Sequence, residues 1–292
     1  MSLLKKISIL RPLHWIKNLI CFSGLIFGGR LFNFESLLLS LELFITFSLV
    51  SSSIYIFNDI KDKDIDRHHP IKKNRLIASG DLSIRSSYLI FTFILFLSLA
   101  YSYHLSINIF YITLLYIVNG ILYTLLFKNI PVVDIIIIGI GFVLRLLSGI
   151  YLFNDHPTVW IILCTFFLAI FLGYGKRLGE YQNQILNKEK LVLKRPVLKN
   201  YSKDYLINLI NDTSIITIIS YSIFTVASGK NNNLVLTIPI VFFSISYYKN
   251  LIITNPFEEP EKIISSDIKI MLSIIIWLLL SVLILYTDFR VF

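Results

Sequence analysis

The chain has 292 residues, of which 55% are hydrophobic and only 15% are charged, and its mean hydropathy is +0.74. This composition excludes a globular protein that folds in water and indicates a polytopic membrane protein. The formal net charge of +9 comes from cations gathered in a few clusters. A membrane is therefore an expected partner, and a nucleic acid is not.

Nine apolar runs are long enough to cross a hydrocarbon layer of about 30 Å as helices of about 20 residues. They cover residues 14–32, 36–57, 86–104, 108–127, 131–153, 157–175, 205–228, 233–249 and 270–288. The first run is the weakest of the nine, because Lys17 and Asn18 interrupt it. We predict one all-α integral-membrane domain over residues 1–292, a bundle of nine transmembrane helices.

The basic residues predict how this bundle is oriented. If the N-terminus is cytoplasmic, all but four of the 27 Lys and Arg residues fall on the cytoplasmic side. The exceptions are Arg30, Lys230 and Arg290 outside and Arg145 within a span. By the positive-inside rule, the long links 58–85, 176–204 and 250–269 are then cytoplasmic. Because long links often carry function, we expect the active site at the cytoplasmic face of the inner membrane.

The segment from Arg11 to Asn18 is the first candidate for binding chemistry. It has Pro12, which suits the start of a helix, then Trp15 at interface depth and Lys17 further along. Lys17 is explained either as a ligand for an anionic substrate or as an anchor that reaches the membrane interface. The residues alone leave both explanations open.

The link between the second and third predicted spans is the most polar part of the chain. On a helix, Asp59, Asp62 and Asp66 share one face, with Asn58 on its flank and Asp64 pointing away. Three like charges repel one another unless a cation binds them, and hard oxygen ligands favour Mg²⁺, which keeps open positions for phosphate oxygens. We therefore predict a magnesium site here, against the alternative of a solvated charged loop.

Several other polar side chains are candidates for binding substrate, and the cations among them suit phosphate groups. They are Arg67, Lys73 and Arg75 after the aspartates, Tyr123 and Lys128 at the end of the fourth span, and Lys176, Arg177 and Glu180 at the start of the second long link. Tyr123 and Lys128 are explained equally well as interface anchors.

Two charged residues lie deep within predicted spans. Glu42 in the second span and Arg145 in the fifth fall at similar depths when residues are counted from the outer ends. Because an isolated charge in hydrocarbon is costly, we predict that they form a structural ion pair, against the alternative that Arg145 contacts the substrate.

These motifs resemble a known family. The order Asn-Asp-x-x-Asp-x-x-x-Asp from Asn58 to Asp66 resembles the first aspartate-rich motif of the UbiA superfamily of intramembrane prenyltransferases. The continuation to Gly80, and the runs at 11–18, 123–128 and 175–180, resemble one branch, the decaprenyl-phosphate phosphoribosyltransferases. Leu76 departs from that branch, where a proline is expected. UbiA enzymes that use allylic diphosphates carry a second aspartate-rich motif, where this chain has only Glu180.

The resemblance implies a UbiA-type bundle that transfers 5-phosphoribose from phosphoribosyl pyrophosphate to a polyprenyl phosphate, such as decaprenyl phosphate, and releases pyrophosphate. It implies Mg²⁺ held by Asn58, Asp59, Asp62 and Asp66, with the three aspartates catalytic. It further implies that the substrates are bound by Lys17, Arg67, Lys73, Arg75, Tyr123, Lys128, Lys176, Arg177 and Glu180, with the cations among them holding the phosphates.

Two other functions remain as alternatives. The first is a UbiA-type prenyltransferase that joins a prenyl diphosphate to an aromatic acceptor, although its second metal site is missing here. The second is a carrier for an anionic or lipid-linked solute, for which the aspartate face has no evident use. The sequence leaves the polyprenyl chain length, the oligomeric state and the role of the acidic link 256–267 open, and a homo-oligomer is compatible with it.

Overall fold

The computed structural model describes residues 7–69, 72–186, 196–256 and 260–287, and the regular structure in these ranges is helical. The α-helices are α1 (Ser23–Phe27), α2 (Phe34–Lys61), α3 (Lys63–Arg67), α4 (Leu76–Ser79), α5 (Ile84–Leu105), α6 (Ile107–Leu125), α7 (Val133–Tyr151), α8 (Val159–Leu186), α9 (Lys203–Ala227), α10 (Ile238–Thr254), α11 (Pro260–Ser266) and α12 (Ile268–Tyr286). Among the 3₁₀ segments are Pro12–Phe22, Phe127–Asn129 and Asn232–Thr237. The predicted all-α class is confirmed.

Eight of these helical segments are long and apolar enough to cross a membrane, within the ranges that the structure describes. They are α2, α5, α6, α7, α8, α9, α10 together with its preceding 3₁₀ turn, and α12. Several begin at side-chain caps that satisfy a free backbone N–H, such as Asn33 before α2, Ser106 before α6 and Asp267 before α12. The chain is a multi-pass membrane protein.

The predicted first span does not form one long α-helix. Residues Pro12–Phe22 form a 3₁₀ helix, and α1 continues it for five residues. At about 2.0 Å per 3₁₀ residue and about 1.5 Å per α residue, the segment is about 30 Å long. It therefore has the length of a membrane span in fewer residues than a regular helix needs, and the count of nine stays a prediction.

The described residues group into two compact units. That residues 1–292 form a single domain stays a prediction. The first unit contains the described residues up to 137 and residues 144–155. In it, α2 packs against α5, α6 and the N-terminal 3₁₀ helix. Leu43, Phe47 and Val50 of α2 are fully buried there, with Tyr116 of α6 in the same core.

The N-terminal segment is fixed to the first unit by polar contacts and close backbone packing. Trp15 Nε1 donates to Ser52 Oγ of α2 at 3.0 Å, and Ser52 Oγ donates to the Leu10 carbonyl at 2.6 Å. Gly24 of α1 lies so close to Gly149 of α7 that a Cβ on either glycine would overlap backbone atoms of the other segment. Small residues allow this approach, as in other membrane helix pairs.

The second unit contains residues 138–143, 156–186, 196–256 and 260–287. Its helices α8 and α9 pack along one another, and α10 packs against α9 and α12. Trp277 Nε1 of α12 donates to the Tyr221 hydroxyl of α9 at 2.7 Å, and that hydroxyl also contacts Thr237 Oγ1 at 2.5 Å. These bonds satisfy buried polar groups between helices whose surroundings are otherwise apolar.

Candidate functional site

The aspartate motif lies where α2 ends and α3 begins. Asp62 caps the end of α2, with φ −95° and ψ 5°, and yet the helical hydrogen bonds continue across it. The Asp62 amide donates to the Asn58 carbonyl at 2.9 Å, and the Asp66 amide donates to the Asp62 carbonyl at 2.8 Å. The aspartates therefore keep their helical spacing, although α2 ends at Lys61.

Arg75 joins two of the aspartates. Its Nη1 donates to Asp59 Oδ1 at 3.0 Å and to Asp66 Oδ2 at 2.5 Å, so both carboxylates lie within reach of a single atom. The Asn58 side-chain amide donates to Asp62 Oδ2 at 3.0 Å. The structure thus places these predicted site residues together in the first unit.

Two further cations reach the same carboxylates from distant parts of the sequence. Lys128, in the 3₁₀ turn after α6, donates to Asp62 Oδ1, and Arg11 donates to Asp59 Oδ1. Each of the three aspartates is therefore bonded to at least one cation, and we call these six side chains the charge cluster: Arg11, Asp59, Asp62, Asp66, Arg75 and Lys128.

The two arginine-bound aspartates are covered by the cations that bind them. The side chains of Asp59 and Asp66 are 8% and 4% exposed, whereas those of Arg11 and Arg75 are 17% and 28% exposed. Burial raises the pKa of the Asp66 carboxyl, and the nearby Arg75 charge opposes this increase. The cations thus compensate carboxylates that water reaches poorly.

Arg11 is a member of the cluster that the sequence did not place in the site. Its backbone has φ 50° and ψ 59°, the left-handed region that a non-glycine residue rarely adopts. Its guanidinium lies 5.0 Å from the centre of the Tyr55 ring. The sequence signal for Arg11 was its place at the start of the run 11–18, directly before Pro12, which starts the 3₁₀ helix.

The structure gives the remaining predicted residues of the first unit other surroundings. Arg67 Nε donates to the Ala78 carbonyl at 3.2 Å and lies 3.6 Å from Asp64, so it supports the turn that follows the aspartates. Lys73 is exposed, whereas Lys17 and Tyr123 are half-buried. Their roles toward a substrate stay predictions.

The predicted Glu42–Arg145 pair is wrong for the part of the chain that the structure describes. Arg145 is buried, its Nε donates to Asn18 Oδ1 at 2.7 Å, and its Nη2 donates to the Tyr116 hydroxyl. Glu42 instead contacts the Tyr101 hydroxyl of α5. Counting residues predicts similar depths for the two charges but not the direction in which each helix presents its side chain.

The predicted cations of the second long link belong to the second unit, at the C-terminal part of α8. Arg177 is 1% exposed, and its Nη1 donates to Glu180 Oε2 at 2.7 Å. Lys176 is half-buried. Farther along the helix, Gln182 Nε2 donates to the Ile253 carbonyl of α10 at 3.1 Å. Glu180 is therefore bonded to a neighbouring guanidinium on its own helix.

Comparison with known proteins agrees with the motifs. A family model described as the UbiA prenyltransferase family matches residues 19–262. The chain belongs to this family. The resemblance drawn from the aspartate motif is thereby confirmed, and the chain is a member of a family of membrane enzymes.

Two curated relatives carry the name of the predicted branch. A decaprenyl-phosphate phosphoribosyltransferase of Mycolicibacterium smegmatis is 28% identical over 78% of this chain and 72% of the relative. One of Corynebacterium glutamicum is 30% identical over 68% of this chain and 60% of the relative. These UbiA-family relatives are similar to the chain over the greater part of its length.

A solved structure supports the fold. The UbiA homolog of Archaeoglobus fulgidus bound to GPP and Mg²⁺ has a TM-score of 0.75 to this chain. The two are 20% identical, and the match covers 97% of this chain and 100% of that one. At this identity the likeness shows the fold, which is that of UbiA proteins.

Proposed function

We propose that this protein transfers 5-phosphoribose from phosphoribosyl pyrophosphate to a polyprenyl phosphate, such as decaprenyl phosphate, and releases pyrophosphate. Family membership and the names of the curated relatives support this reaction. The observation that carries the choice of donor is the composition of residues 173–186, where Glu180 is the only acidic side chain and follows the cations Lys176 and Arg177. A second aspartate-rich motif of the kind used with allylic diphosphates is therefore missing from this part of the sequence.

The candidate metal ligands of the first unit fit Mg²⁺ by their chemistry. Asn58, Asp59, Asp62 and Asp66 offer hard oxygen ligands, which Mg²⁺ prefers. Within the described ranges the acidic side chains are not gathered as a ready metal site, because each carboxylate faces a cation. When bound by these residues, Mg²⁺ would supply positive charge that stabilises the departing pyrophosphate. The Mg²⁺ of the Archaeoglobus homolog supports the same assignment.

The protein's own side chains would bind and orient the two substrates. Arg75 and Lys128 are placed to neutralise pyrophosphate oxygens, because their charged groups already lie at the carboxylate cluster. We include Lys17, Lys73 and Lys176 as further phosphate ligands on the strength of the branch motifs. Holding both substrates next to each other in the reactive orientation converts a bimolecular encounter into a step within one complex. This conversion is a large part of what positioning contributes to catalysis.

The chemical step balances without another reactant. An oxygen of the lipid phosphate forms a bond to the anomeric carbon, and the bond from that carbon to pyrophosphate breaks, with its electron pair leaving on pyrophosphate. Because the bond to pyrophosphate breaks ahead of full formation of the new bond, the anomeric carbon becomes oxocarbenium-like and is stabilised by the surrounding anions. Because the lipid phosphate is already anionic, no strong general base is required.

We place the reaction at the cytoplasmic face of the inner membrane, with the N-terminus in the cytoplasm. The distribution of basic residues supports this orientation. Phosphoribosyl pyrophosphate is a water-soluble anion and the acceptor is a lipid, so a site at the membrane surface gives access to both.

The test is turnover by purified protein in detergent with Mg²⁺. One reaction contains labelled phosphoribosyl pyrophosphate and decaprenyl phosphate, and the other contains geranyl diphosphate and an aromatic acid. We expect a labelled lipid product only in the first reaction, and its loss in Asp62→Asn. Product only in the second reaction would establish the prenyltransferase alternative, and solute uptake into vesicles that is unaffected by Asp62→Asn would favour a carrier.

A further inference from the structure

The cations of the charge cluster occupy the positions that a metal ion and its diphosphate would use. Arg11, Arg75 and Lys128 are separated in sequence and yet converge on the three aspartates of one helical face in a single motif. The two arginines are also more exposed than the carboxylates of Asp59 and Asp66 that they bind. A divalent ion that enters from the solvent side therefore meets guanidinium groups before it meets these carboxylates.

The charges of the cluster set a condition on metal binding. Three carboxylates face three cations, so the cluster is close to neutral as it stands. A divalent ion added to neutralised carboxylates, of which Asp59 and Asp66 are buried, would leave uncompensated positive charge, which is costly away from water. If the cations move to a diphosphate, the carboxylates are released and the anion is neutralised in the same event.

We propose that Arg11, Arg75 and Lys128 exchange partners, from the aspartates to the diphosphate of the donor, and that metal and diphosphate therefore bind cooperatively. Arg11 is thereby assigned as a further diphosphate-binding residue. The inference rests on the proposed function only for the metal and the diphosphate. It does not depend on whether the donor carries a phosphoribosyl or a prenyl group.

The backbone of Arg11 supports this assignment. A left-handed arginine before a proline is strained, and such strain persists where the surroundings enforce it. Here the surroundings are the bonds that hold the segment: the Leu10 carbonyl accepts from Ser52 Oγ at 2.6 Å, and Asn18 Nδ2 donates to Ser48 Oγ at 3.1 Å. The fixed backbone holds a long side chain at the cluster, and that side chain can change partner without moving the segment.

The experiment measures binding rather than turnover. Mn²⁺ replaces Mg²⁺ so that the free ion can be followed by electron paramagnetic resonance, and pyrophosphate is the anion. For the full-length protein in detergent, Mn²⁺ affinity is determined with and without pyrophosphate and corrected for the complex in solution. In the unmodified protein we expect weak binding of Mn²⁺ alone and a coupling of about tenfold or more, within the range of typical site-to-site couplings.

The variants Arg11→Met and Lys128→Met should change the two quantities in opposite directions. Mn²⁺ alone should bind more tightly, because a competing cation is gone. The coupling with pyrophosphate should fall about tenfold, the value expected for one lost charge-assisted contact. Arg30→Met is the matched control, since Arg30 binds Asp155 elsewhere in the same unit at 2.5 and 2.9 Å, and it should change neither quantity.

The exchange is refuted if both variants leave the coupling unchanged while Asp62→Asn abolishes Mn²⁺ binding. If Asp62→Asn instead leaves Mn²⁺ binding and its coupling intact, the metal assignment of the proposed function fails. Thermal unfolding verifies that each variant is folded, and Lys128→Met supplies the same test if Arg11→Met does not fold.

Discussion

Arg145 Nε donates a 2.7 Å hydrogen bond to Asn18 Oδ1, which joins α7 to the N-terminal 3₁₀ helix across 127 residues of sequence. The same amide donates through Nδ2 to Ser48 Oγ at 3.1 Å and to Ser51 Oγ at 3.3 Å. Asn18 thus uses both ends of its side chain to connect three segments of the first unit. Asn18 interrupts the first apolar run in the sequence, and in the structure its hydrogen bonds hold that segment against α2 and α7.

We expect Arg145→Met and Asn18→Leu to be coupled in stability. Each should destabilise the protein, and the double variant should lose less than the sum, because a hydrogen bond to a charged group is worth about 1.5–3 kcal/mol. The measurement is the free energy of unfolding in mixed micelles. Glu42→Gln provides the control, since its effect should simply add to that of Arg145→Met. Coupling between positions 42 and 145, and none between 18 and 145, would contradict the structure.

The aspartates should separate into two classes on mutation. Asp62→Asn should abolish turnover with a smaller loss of stability than Asp66→Asn, because the Asp62 side chain is 20% exposed and that of Asp66 is 4% exposed. Asp66→Asn should abolish turnover and also lower stability, since breaking a buried ion pair costs about 3–5 kcal/mol. Turnover and thermal unfolding are measured on the same preparations.

The control for this pair is Asp64→Asn. Asp64 lies on the same short helix, but its side chain is 89% exposed. It should leave both turnover and stability near those of the unmodified protein. Normal turnover in Asp62→Asn would remove the support for its role in metal binding.

The close packing of Gly24 and Gly149 predicts a specific loss of stability. A Cβ added in Gly149→Ala would overlap the carbonyl oxygen of Cys21, so backbone must shift, and overpacking of this kind typically costs about 1–3 kcal/mol. Gly175→Ala is the matched control, because its Cβ meets the flexible end of Ile252 at 2.8 Å and its next nearest neighbours only at 3.8 Å. Equal thermal stability of the two variants would show that the contact is unimportant.

The fold and the aspartate face were predictable because both are local patterns. Apolar runs of span length and a three-and-four spacing follow from helix geometry, and the structure keeps that spacing across the break at Asp62. The partners of the aspartates were not predictable, since Arg11 and Lys128 come from 48 and 66 residues away. Sequence distance does not reveal which side chains meet after helices pack.

The error at Glu42 has a similar cause. Counting residues from the outer ends estimates the depth of a charge, but a salt bridge also requires that the two helices present their side chains toward each other. The amide of Asn18 and the hydroxyl of Tyr116 satisfy Arg145 instead. Neutral polar side chains within the apolar segments therefore decide the partners of Arg145, and Glu42 does not.

Lys176 and Arg177 were predicted from the sequence to act alike toward phosphate. The structure gives them different surroundings, because Arg177 is 1% exposed and bonded to Glu180, whereas Lys176 is half-buried. We expect Arg177→Met to lower stability by about 3–5 kcal/mol, since it removes one partner of a buried ion pair. We expect Lys176→Met to preserve stability and to weaken inhibition by ribose 5-phosphate about ten- to a hundredfold.

Two further measurements make this distinction testable. The double variant Arg177→Met/Glu180→Leu should recover part of the stability lost in Arg177→Met, because no carboxylate is then left buried without its guanidinium. Inhibition by pyrophosphate should change little in Lys176→Met if this lysine is specific for the 5-phosphate, the group that distinguishes phosphoribosyl pyrophosphate from a prenyl diphosphate. Equal weakening of both inhibitors would instead make Lys176 a general anion ligand, and the choice of donor would then lose its support from this helix.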